Sequence, residues 1–104
     1  MTEQEITDIY KALSVPSRLK ILKLIKERPF CVNAITKFLD ISQPAVSQHL
    51  TVLKQSGIVV GNKEGYMVHY SLNRERLAEF KRSVIEVLGN EFVTLENSDV
   101  PTER

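Results

Sequence analysis

A single cysteine, Cys31, stands in 104 residues, so no internal disulfide can staple the chain, and such usage fits a reducing compartment. Long apolar runs are missing as well. The longest unbroken aliphatic stretch, Ile58 to Val60, cannot span a bilayer, and no N-terminal apolar run resembles a signal peptide. The expectation is a cytoplasmic protein with no membrane partner. Histidine is scarce too: His49 and His69 are the only two, and neither has a matching acid at a readable spacing. With no nucleophile beside a base and no glycine-rich loop to cradle a phosphate, the chain carries no signature of an enzyme. A large charge of one sign is also lacking, since the formal net charge is only +1. Its distribution is uneven. Residues 1–90 carry 13 Lys and Arg against 9 Asp and Glu, whereas residues 91–104 carry 1 against 4. This predicts one small domain over 1–90 with a modestly basic surface, followed by an acidic tail over 91–104 that frays.

What is present centres on Ser42 to Gly57, SQPAVSQHLTVLKQSG. Val46, Leu50 and Leu53 follow the i, i+4, i+7 spacing of one helix stripe, while Gln43, Ser47, Gln48, Thr51, Lys54 and Gln55 make the other face polar. That face holds no carboxylate, the group that phosphate would repel. Ser42 caps the start, Pro44 suits a first turn whose amides are unpaired anyway, and Gly57 supplies a left-handed stop.

On the N-terminal side, Ile6, Ile9, Tyr10 and Leu13 recur at spacings of three and four, which predicts a first amphipathic helix over residues 3–13. Pro16 opens a second helix running to about Glu27, with Leu19, Leu22 and Ile25 as one row and Ile21 and Leu24 widening it. Lys20, Lys23 and Lys26 fall outside that row as a solvated flank. Phe30 to Asp40 reads as a third helix with Val32, Ile35, Phe38 and Leu39 inward. After Gly57 the period changes to two: Ile58 to Lys63 forms one strand, Glu64-Gly65 the tip, and Tyr66 to Leu72 a second strand. From Asn73 the helical period returns, placing Leu77, Phe80, Val84 and Leu88 on one face.

The fold class is therefore mainly α with a small β-hairpin, in the order helix, helix, helix, recognition helix, wing, helix. At these residues the chain resembles the ArsR/SmtB family of winged helix-turn-helix repressors. ALSVPSRLKIL (Ala12 to Leu22) is similar to that family's second-helix signature, SQPAVSQHLTVLKQSGIV (Ser42 to Val59) to its recognition helix, and GYMVHYSL (Gly65 to Leu72) to its wing. The resemblance implies a homodimer that binds an inverted-repeat operator on double-stranded DNA and leaves it when an inducer, unidentified here, binds. It places base contacts at Gln43, Ser47 and Gln48. Glutamine can pair with adenine, and serine with a base or a phosphate. Thr51, Lys54 and Lys63 are the candidates for holding the backbone. His49, beside an inward leucine, is read as packing first and base contact second. The resemblance also implies that the first and last helices form the dimer. Their stripes, Ile6, Ile9, Tyr10 and Leu13 with Leu77, Phe80, Val84 and Leu88, exceed what one small core needs.

Many members sense metals through two cysteines at the start of the third helix, and PFCVNAI (Pro29 to Ile35) resembles that pattern with Asn33 in the second place. The places that hold zinc on the last helix of other members are Arg74, Arg76, Val87 and Asn90 here, none of them a zinc ligand. The expectation is no metal and no cofactor. Cys31 is either a redox or electrophile switch at a helix N-terminus or a small buried apolar residue. An alternative to repression is a winged helix kept as a protein-interaction or dimerisation module with little DNA affinity.

Overall fold

Thr2 starts the first helix, α1 (Glu3–Leu13), with a reciprocal cap: its hydroxyl accepts from the Glu5 N–H at 3.1 Å, and its own N–H donates to Glu5 Oε1 at 2.7 Å. That donated bond is the main reason the Glu5 carboxyl is held below the ordinary carboxylate range, and the Arg76 guanidinium acts in the same direction. The computed structural model describes residues 1–89, so the acidic tail predicted over 91–104 lies outside the described residues.

Val15 offers the second helix no side-chain cap, but Pro16 has no amide to leave unpaired, and α2 (Pro16–Ile25) begins on it. This helix stops short of Glu27, because Lys26 and Glu27 turn the chain into an element absent from the sequence reading. Phe30–Cys31 forms a short strand, β1, and α3 (Val32–Leu39) starts immediately after it rather than at Phe30. The Ser42 hydroxyl caps α4 (Gln43–Gln55) by accepting from the Ala45 N–H at 3.3 Å. Two strands, β2 (Val59–Glu64) and β3 (Met67–Leu72), make the wing, and Asn73 caps α5 (Arg74–Leu88). Glu64 pairs with Met67, so the hairpin tip is Gly65-Tyr66, one residue beyond the tip expected from the pattern.

The sheet has three antiparallel strands in the order β1-β3-β2. Phe30 stands opposite Tyr70 and Cys31 opposite His69, so the segment that becomes α3 is hydrogen-bonded to the wing. Gly61 stands opposite Tyr70, and a Cβ there would come within 3.1 Å of the tyrosine ring and of Val68. The missing side chain lets the Tyr70 ring lie across the strand.

The core is aliphatic at its centre: Ile9, Ile21, Ile25, Ile35, Val46, Leu50, Leu53 and Ile58 are shut off from solvent. Two expected inward residues point out. Leu19 is 44% exposed because the deep row of α2 is Ile21 and Ile25, one turn apart, and a residue two positions earlier falls on the other side of the helix. Phe38 is 64% exposed and meets Phe30 edge-on at 5.4 Å from outside the core. The stripes assigned to a partner also divide. Ile9 and Phe80 are buried within the protomer's own core, which leaves little of either to offer a second copy. Ile6, Leu13, Leu77 and Val84 are half-buried at the core's edge, while Tyr10 at 40% and Leu88 at 73% exposure face out.

Candidate nucleic-acid interface

Helix α4 turns Val46, Leu50 and Leu53 into the core, with Val52 and His49 at its edge, which leaves the polar side chains of the opposite face outward. Gln43, Ser47 and Thr51 follow one another at four-residue steps and form a ridge that Lys54 extends, with Gln48 and Gln55 beside it. Gln43, Gln48, Thr51 and Lys54 are exposed and Ser47 is half-buried. The structure thus brings together the three residues expected to read bases. Thr51 is less free than its sequence position implies: its hydroxyl donates to the Ser47 carbonyl at 3.0 Å and would have to turn from it to donate to a phosphate.

The wing sorts its charges by face. Lys63 and Glu64 are adjacent in sequence, so in β2 they point to opposite sides of the sheet. Lys63 shares a side with Gly61 and, across the ladder, Tyr70, whose ring lies 5.9 Å from the Lys54 ammonium. Glu64 shares the other side with Asn62 and His69. His69 Nδ1 is 3.3 Å from Glu64 Oε1 but makes no aligned hydrogen bond, so the contact is one of proximity alone. Lys54 and Lys63 therefore lie toward one side with the carboxylate turned away, which one-dimensional neighbourhood hid. Tyr66, expected to begin the second strand, instead occupies the tip at 94% exposure.

His49 is half-buried, and burial lowers its pKa below 6.5, with the Arg18 guanidinium pushing in the same direction. Both favour the neutral ring, in keeping with packing rather than a cationic contact. A histidine whose folded pKa lies below its unfolded one contributes stability above the unfolded value, and that contribution is lost as pH falls through 6.5 to the folded value. Denaturant titrations from pH 7.5 to 5.5 should therefore show falling stability, and His49→Gln should flatten that dependence; an equally steep dependence in the variant would assign the effect elsewhere.

Cys31 is half-buried at the N-cap of α3 and lines an open groove of about 330 Å³ with Val32, Asn33, Tyr66, Met67, Val68 and Tyr70. On α5, Arg74 donates to the Lys26 carbonyl at 2.9 Å and Arg76 to Glu5 Oε2 at 3.4 Å. Val87 is exposed, and Asn90 lies outside the described residues. Among the described residues no three His, Cys, Asp or Glu side chains gather closely enough to hold a metal ion, and no helix is long and apolar enough to cross a membrane.

Comparison with known proteins agrees with this fold. Residues 15–60 match the family described as bacterial regulatory proteins of the arsR family. The chain is 37% identical over 68 residues to the transcriptional repressor SdpR of Bacillus subtilis, covering 65% of this chain and 76% of that one. It is 39% identical over 85 residues to the HTH-type transcriptional regulator MJ1325 of Methanocaldococcus jannaschii, covering 81% of this chain and 96% of that one. Among solved structures it is similar to the homodimeric winged helix-turn-helix DNA-binding domain of Mb0332 from Mycobacterium bovis. That match has a TM-score of 0.69 at 25% identity and covers 81% of this chain and 79% of that one.

Proposed function

The chain belongs to the arsR family of bacterial regulatory proteins and is a DNA-binding transcriptional regulator rather than an enzyme; from that premise we propose that it is a repressor acting as a homodimer on an inverted-repeat operator. Gln43, Ser47 and Gln48 read base edges in the major groove, and Lys54 and Lys63, with Thr51 once its hydroxyl turns, hold the backbone. The observation that carries this reading is the outward face of α4: six polar side chains, no carboxylate, and a lysine from the helix and another from the wing directed to the same side.

The dimer uses the outward parts of α1 and α5. Tyr10 and Leu88, with Ile6, Leu13, Leu77 and Val84 at the margin, leave apolar surface that a second copy would cover. Cys31 is the candidate sensor. It lies where β1 becomes α3 and opposite His69 in the wing, so a bulkier oxidised sulfur would act on the wing directly and on α4 only through α3.

Selection of binding sites from a random duplex pool tests the proposal, followed by anisotropy titrations of the winner at several salt concentrations, with and without a thiol oxidant. An inverted repeat should emerge, with log affinity falling linearly against log salt. Lys63→Ala should reduce that slope by about 1. Oxidant should release DNA from the parent and not from Cys31→Ser. No enrichment by folded, dimeric protein would overturn the reading and favour an interaction module.

A further inference from the structure

We propose that Arg76 is a positioning residue that fixes the recognition helix relative to the dimerisation helices and so sets the spacing at which the dimer reads two half-sites; the inference rests on the DNA-binding reading above. Three parts of the fold meet at this residue. Its backbone N–H donates to Asn73 Oδ1 at 3.1 Å, and the Asn73 N–H donates to the Ile58 carbonyl at 2.8 Å, which pins the start of α5 to the start of the wing. Its side chain crosses Gly57, two residues beyond the end of α4: a Cβ built there would stand 3.0 Å from Arg76 Nε. Gly57 has φ of 86°, so the exit from α4 is both left-handed and covered by this arginine.

The far end of the side chain reaches α1. Both terminal nitrogens lie 3.4 Å from Glu5 Oε2, and Glu79 is 3.9 Å away on α5 itself. Glu5 cannot swing freely, since its other oxygen accepts from Thr2. One residue thus touches both helices of the proposed dimer and the C-terminal end of the helix proposed to read DNA. An ion pair this exposed adds little to stability. Its effect is on geometry.

The leverage is large. Helix α4 has 13 residues and is about 20 Å long, so a tilt of about 10° at Gly57 moves Gln43 by about 3.5 Å, close to the separation of successive base pairs. A single half-site tolerates that shift, because the protomer can slide to follow it. Two half-sites joined by one dimer cannot both be followed.

The test uses the full chain and the duplex that the parent enriches from a random pool, a duplex bearing one half-site, and a duplex with the half-sites one base pair further apart. Glu5→Gln removes the charge facing Arg76 while glutamine still serves the Thr2 cap. Arg76→Met removes the guanidinium but keeps a chain over Gly57. Both should weaken binding to the full site about five- to tenfold, leave the half-site duplex unchanged, and reduce discrimination against the respaced duplex. Arg76→Lys should restore part of the loss. Parent-level affinity for the full site in both variants would overturn the proposal, and so would an equal loss on the half-site duplex, which would locate the effect within α4. If Arg76→Met does not fold, Glu5→Gln carries the test alone. Failure of the parent to enrich any duplex would overturn the DNA-binding reading and this inference with it.

Discussion

Ser47→Ala combined with Gln48→Ala is expected to weaken binding to the selected operator about thirtyfold or more, taking about 1–3 kcal/mol for each lost base contact. Both side chains stand on the outward face of α4, and neither has a large role in the core. Folding, measured by thermal melting, should be almost unchanged. The salt dependence should also keep its slope, because neither residue neutralises a phosphate. What should change is discrimination: repeating the pool selection with the double variant should give relaxed preference at the base positions these residues face. Operator affinity equal to the parent's would remove Ser47 and Gln48 from the interface.

Leu50→Ala should lower folding stability by about 2–5 kcal/mol, a large share of the roughly 5–15 kcal/mol that holds a domain together. Leu50 is 1% exposed at the middle of the stripe through which α4 joins the core. Truncation removes burial and leaves a cavity that the flanking aliphatic side chains fill only in part. For a domain this small the melting temperature should fall by about 10 °C or more. Leu50→Met, which nearly conserves volume, should cost less than about 1.5 kcal/mol. If the alanine variant melted with the parent, the assignment of this stripe to the core would be wrong. Unlike the double alanine variant, Leu50→Ala should lose DNA binding in proportion to its unfolded fraction, with affinity returning on cooling.

The parts legible in the sequence were those in which one local rule acts over many residues. Val46, Leu50 and Leu53, capped by Ser42 and closed by Gly57, define α4 without any knowledge of its neighbours, and the alternation through Val68, Tyr70 and Leu72 does the same for β3, although Tyr66, which shares that alternation, stands at the tip. A strand of two residues has no period, so β1 was absorbed into the following helix; only its pairing with Tyr70 and His69 identifies it. Periodicity also marks an apolar face without saying what covers it. Ile9 and Phe80 turned inward and Tyr10 outward, although Ile9 and Tyr10 are neighbours within one stripe. Leu19 and Phe38 misled for the related reason that hydrophobicity does not fix which side of a short helix is deepest. The tie between Arg76 and Glu5 spans 71 positions, and nothing local to either residue announces it. Side-chain chemistry on an outward face survives such errors better than burial does, which is why the candidate base-reading residues remained together.

The short strand β1 has a thermodynamic meaning for association. Cys31 ends that strand and is itself the N-cap residue of α3, with no residues between them to act as a hinge. The hairpin is thus stitched to the helix pair that presents α4, instead of hanging from it as an arm. Duplex DNA meets a surface whose backbone is already assembled. Complex formation costs the freedom of two bodies and of the side chains at their junction, but not the ordering of a loose ribbon. The heat-capacity change on binding then follows from the surfaces that meet, with no contribution from coupled folding of the wing.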